Sequence, residues 1–95
     1  MATVETNDDP VPEASELGLR ALAWTLAEPA RAMRLLDVTG LDPRELKTRA
    51  GEPAVLGAVL GFLESHEPDL VACAQELGRS PQALVAARAA LETAS

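Results

Sequence analysis

Apolar positions in this chain come in short runs at helical spacing, most of them opened by a proline and several closed by a glycine. Leu17, Ala21 and Trp24 lie three or four apart, flanked by Leu22 and Leu26, which predicts a first helix over about 13–27. Glu28-Pro29 ends it, because a residue before proline is pushed out of the α region. Pro29 then opens a second helix carrying Met33, Leu35 and Leu36, which stops at Gly40. Asp42-Pro43-Arg44-Glu45 reads as a capping box for a short third helix, with Leu41 and Leu46 spaced as a hydrophobic staple. Pro53 to Leu63 (P-A-V-L-G-A-V-L-G-F-L) holds no charge, so as a helix it has no face that prefers water. It is too short for a bilayer, which needs ~20 apolar residues. It is therefore expected at the centre of the core, sheathed by the other helices, with Gly57 and Gly61 letting a neighbour come close. Glu67-Pro68 opens a fifth helix closed by Gly78, and Ser80-Pro81 a sixth that frays near Glu92.

The pattern predicts an all-α fold of six short helices in one domain over residues 13–93. Residues 1–12 carry too little apolar surface to offset ordering and read as a disordered acidic tail. The expected core takes Trp24, packed on Phe62, and Leu36 and Leu46 from the first half. Leu56, Val59, Leu60, Phe62 and Leu63 come from the charge-free helix. Leu70, Cys73 and Leu84 complete it. A shift of 38 residues lays Leu22 on Leu60, Trp24 on Phe62, Gly40 on Gly78, Pro43 on Pro81 and Leu46 on Leu84. That match suggests two copies of a three-helix unit related by approximate twofold symmetry.

Composition changes this picture in one respect. With 47% apolar but 2% aromatic residues, the core must be built from Leu, Val and Ala. The net charge of −7 is uneven: residues 17–51 carry six bases against four acids, while both flanks are acidic. Arg31, Arg34, Arg44, Lys47 and Arg49 form the one basic stretch and the candidate interaction surface. Overall acidity disfavours nucleic acid and anionic membranes as partners. The lone Cys73 excludes an internal disulfide and fits a reducing compartment; no secretory signal is evident, so a cytoplasmic location is expected.

Candidate chemistry is sparse. Leu70 to Leu91 resembles a DNA-binding helix-turn-helix, with Gln82 placed for a base edge and Arg79 and Arg88 for phosphate. A single Arg on the second helix, in an acidic half, supplies little counterion-release energy. His66 with Asp69 or Glu64 lacks the spacing of a metal site, and Cys73 falls on an apolar stripe rather than beside a base. Ser15, Ser65 and Ser80 read as helix caps. No catalytic, metal or cofactor site is assigned, and an enzyme is not expected.

Four stretches also carry a resemblance: A-L-A-W at Ala21–Trp24, T-G-L-D-P at Thr39–Pro43, G-E-P-A at Gly51–Ala54 and A-R-A-A-L at Ala87–Leu91. Together, over about Leu17 to Leu91, the chain resembles the bacterial family known as domain of unknown function 3572. The resemblance implies an all-helical cytosolic protein with no assigned activity, although family members carry more aromatic residues near the position of Leu35. The expected function is a small non-enzymatic interaction protein that binds another protein or associates weakly with itself. The alternative is a weak nucleic-acid binder acting through the helix-turn-helix-like unit and the basic segment 31–49.

Overall fold

Each helix of this protein starts at a proline or has one in its first turn. The ring fixes φ near the helical value, and the missing N–H is one that a first turn leaves unpaired anyway. The computed structural model describes residues 10–94. Within them it forms α1 (Val11–Leu26), α2 (Pro29–Thr39), α3 (Pro43–Thr48), α4 (Pro53–Glu64), α5 (Glu67–Leu77) and α6 (Pro81–Ala94), with no strand among the described residues. The fold is all-α and forms a single domain.

The helix ends follow local chemistry. Gly40 and Gly78 take left-handed conformations, φ 76° and 70°, and the Gly40 N–H donates to the Leu36 carbonyl at 2.9 Å. At α3 the capping box closes in both directions. The Glu45 N–H donates to Asp42 Oδ1 at 2.7 Å, and the Asp42 N–H to Glu45 Oε1 at 3.2 Å. Ser80 caps α6 by accepting from the Ala83 N–H at 3.1 Å. Three expectations about ends need correcting. α1 begins at Val11 because Pro12 fits its first turn, so Val11 and Pro12 are helical and Ser15 lies inside the helix rather than capping it. The acidic-tail expectation for residues 1–9 lies outside the described residues. α6 continues past Glu92 to Ala94, and Glu92 is held by Arg88 at 3.0 Å.

The charge-free helix α4 packs against α1, α2, α5 and α6. It buries Val55, Leu56, Val59, Leu60, Phe62 and Leu63 in one cluster with Leu46, Leu70, Cys73 and Leu84. Two details differ from an all-round sheath. Ala54 and Ala58 of α4 are exposed, which costs little because a lone methyl hides few Å². Among the glycines, the one with least room beside it is also not in α4. At Gly18 of α1 a side-chain Cβ would lie 3.1 Å from Leu56 Cβ, whereas one at Gly57 would meet nothing closer than 3.8 Å. Gly61 instead makes room for the Arg88 side chain, whose Nε would lie 3.3 Å from an added Cβ.

The two proposed three-helix units are not packed alike. α6 is 14 residues long and lies against α1, α4 and α5. Its counterpart α3 has 6 residues, buries only Leu46 and touches the rest lightly at one edge. One and a half turns carry too few apolar positions to span a neighbour, and this difference opens the surface described next.

Candidate functional site

Of the five cations in the basic stretch, three are engaged within the molecule. The turn between α1 and α2 brings Arg31 back over Trp24, its guanidinium carbon 3.7 Å from the ring centroid. Arg31 Nη2 also donates to the Trp24 carbonyl at 2.7 Å, a second and shorter bond beside the one that carbonyl accepts from the Ala27 N–H at 3.3 Å. Trp24 is therefore half-buried at the margin of the core, with its ring face covered by Arg31, rather than a core residue. Leu36 is likewise half-buried. Arg34 Nη2 lies 3.1 Å from Asp69 Oδ2, joining α2 to α5, and Arg49 Nε lies 3.0 Å from Glu52 Oε1. Among the described residues Arg44 and Lys47 form no ion pair. The basic stretch is thus dispersed, and only its α3 portion projects free charge.

The other cations and the histidine are placed as follows. Arg88 is clamped between Glu64 at 3.1 Å and Glu92 at 3.0 Å, across the α4–α6 contact, so it is engaged away from any phosphate. Gln82 and Arg79 are exposed at the start of α6. His66 Nε2 is 3.9 Å from Asp69 Oδ2, a carboxylate that Arg34 already occupies. No group of three or more His, Cys, Asp or Glu side chains among the described residues is placed to hold a metal ion. Cys73 is fully buried; desolvation pushes its thiol up to about 11, a shift that Arg31 partly opposes and Asp69 reinforces.

The largest concavity described lies elsewhere, between α1, α2 and α3. It is a groove of about 540 Å³ walled by Leu22 and Leu26 of α1, Ala32 and Leu36 of α2, and Pro43, Leu46 and Lys47 of α3, with Ala50 just beyond. Lys47 is its only charged lining residue. Apolar side chains on the walls' helices are exposed: Leu26 in the lining at 43%, Leu19 of α1 at 44% and Met33 of α2 at 65%. Leu19 shares the stripe of Leu22 and Leu26 on α1, and Met33 follows Ala32 around α2 toward solvent. Bringing α3 alongside the α1–α2 pair, with Leu46 buried and Leu41 and Ala50 half-buried at its two ends, leaves this side of the molecule uncovered.

Sequence reading assigned Leu26 and Met33 to amphipathic stripes and did not single out either one. A signal was present. Met33 and Leu35 are two apart, ~200° around a helix, so one narrow buried face cannot hold both. Leu35 is fully buried and Met33 is the one left outside.

No helix among the described residues is long and apolar enough to cross a membrane. No curated protein matches the chain at a significant level. No solved structure does so either. A family model described as "Protein of unknown function (DUF3572)" matches residues 12–94, nearly the whole of the chain and all but the first residue of its six helices. The four quoted stretches all fall within that span, and the chain belongs to the DUF3572 family of proteins of unknown function.

Proposed function

We propose that this protein is a non-enzymatic interaction module whose α1–α2–α3 groove receives an amphipathic helix from a partner protein. The observation that carries this reading is the groove itself, lined by the exposed Leu26, with Leu19 and Met33 also exposed on the two helices that form its walls. Soluble chains rarely leave such apolar surface open without a use for it. A helix is the occupant that fits the walls. They are helices whose backbone hydrogen bonds are internal, so they offer no ladder to an extended peptide, whereas a helical ligand arrives with its own backbone satisfied. Leu22 with Leu26, and Ala32 with Leu36, form facing four-residue ridges about 6 Å apart along each axis, the spacing at which i and i+4 anchors of a third helix repeat. Nucleic-acid binding by the basic segment ranks second, because Arg31, Arg34 and Arg49 would first have to leave the partners they hold.

The reading is tested by photo-crosslinking in the cells that make the protein, with the reactive residue placed at Leu26, at Met33, or at exposed Val85 on α6. One discrete protein captured from both Leu26 and Met33 and not from Val85 is the expected result. The same products from all three sites, or none from the groove, would contradict it; a crosslink to a second copy of this chain would replace the partner with self-association.

A further inference from the structure

Resting on that reading, we infer that the partner helix carries a row of carboxylates along one flank, and that Arg44 and Lys47 recognise them and set the helix's orientation in the groove. The argument is one of charge placement. Lys47 lines the groove and Arg44 follows it outward around α3, ~60° further from the Leu46 face at ~100° per residue. Neither has an ion-pair partner among the described residues. The nearest carboxylates along α3 are not available to them. Asp42 and Glu45 are locked into the reciprocal cap, and Glu45 lies on the far side of the helix from Lys47. Glu52 is taken by Arg49.

The residues lining the opposite walls, Leu22, Leu26, Ala32 and Leu36, carry no charge; the charged side chains of α1 and α2 nearest these faces, Glu16, Arg20 and Asp37, are exposed and do not line the groove. Leu19, Ala23 and Leu26 continue the α1 wall outward, and Met33 continues α2. Arg31 and Arg34 point away from the groove, toward Trp24 and Asp69. A helix lying in the groove therefore meets cations on the α3 side and apolar surface on the other two. Its buried face must be apolar, and its flank toward α3 is the one where acidic residues gain. Two cations one helical turn apart match carboxylates at i and i+3 or i+4 better than the single headgroup of an acyl chain. The chain's net charge of −7 opposes an acidic ligand only at long range, since fields beyond ~8 Å are screened at physiological salt. The local pair of cations decides orientation at contact.

The test uses the full chain and three synthetic amphipathic helical peptides with one leucine face, differing only in one flank: Glu, Gln or Lys. Each is fluorescently labelled and titrated by anisotropy at ~50 mM and at ~300 mM salt, with laurate as a fourth ligand. The Glu-flanked peptide should bind about fivefold tighter than the Gln-flanked one at low salt, from two exposed pairs of ordinary strength. The gap should narrow at high salt, and the Lys-flanked peptide should bind weakest. In Arg44→Gln/Lys47→Gln the difference should vanish while the Gln-flanked peptide binds as before. Equal binding of all three flanks overturns the charge assignment and leaves the groove reading standing. Binding of no peptide, or peptide binding that Leu26→Glu leaves unchanged, overturns the groove reading. Saturable laurate binding without peptide binding replaces the helix with a fatty carboxylate.

Discussion

Cys73 shows how far a single residue can be read. Its position on the apolar stripe of α5 marks it as a core residue, and it is fully buried. Desolvation raises its pKa from 9.0 to about 11, so the thiol is neutral and shielded at physiological pH. A native chain mixed with a thiol reagent at pH 8 should label only as fast as it opens, and at full rate once denatured in urea. The linkage has a definite sign. The unfolded thiol ionises first, so the native state loses stability as pH rises between about 9 and about 11 and is unaffected by Cys73 below that window. Urea midpoints across that range, compared with those of Cys73→Ala, check it. Trp24 shows the opposite case. Spacing placed it on the core stripe, but Arg31, seven residues along, covers its ring after the turn at Ala27-Glu28. A contact made across a turn leaves no trace in the periodicity of either helix.

Elements were legible wherever backbone chemistry is local. Proline at the start, glycine at the end and the Asp42–Glu45 box locate all six helices to within two residues at most ends. Which glycine admits a neighbour was not legible, because it depends on the register of helices distant in sequence. A Cβ added at Gly18 of α1 would lie 3.1 Å from Leu56 Cβ of α4, an atom that cannot move without its helix. Gly18→Ala should therefore lower stability by about 1 kcal/mol, overpacking outweighing the ~1 kcal/mol gain in helix propensity. Gly57→Ala, with 3.8 Å to Leu91 Cβ and Glu92 Cγ, should raise it by up to about 1 kcal/mol. Urea unfolding of both variants separates the two outcomes. The 38-residue self-match likewise captures helix ends, where Gly40 and Gly78 do adopt the same conformation. It does not capture packing, since a 6-residue and a 14-residue helix cannot bury the same area.

At the scale of the whole molecule, composition and the charge-free run indicated an all-helical domain built around α4, and α4 lies against four of the other five helices. The candidate site was barely legible. Its walls come from three helices, and what makes it a groove is the lightness of the α3 contact, a tertiary property. The basic stretch was visible as letters, yet side chains seven to thirty-five residues apart in sequence had already divided its charge, as Arg31–Trp24 and Arg34–Asp69 show. Arg44 and Lys47 remain, beside the apolar groove. The central claim is that this groove is a docking site. Hydrogen exchange of the full chain, alone and saturated with the partner recovered by crosslinking, tests it most directly. Protection should rise across residues 19–26, 32–36 and 43–50 and stay unchanged in α5 and α6. Protection confined to α5 and α6, with those three segments exchanging as in the free chain, would contradict it.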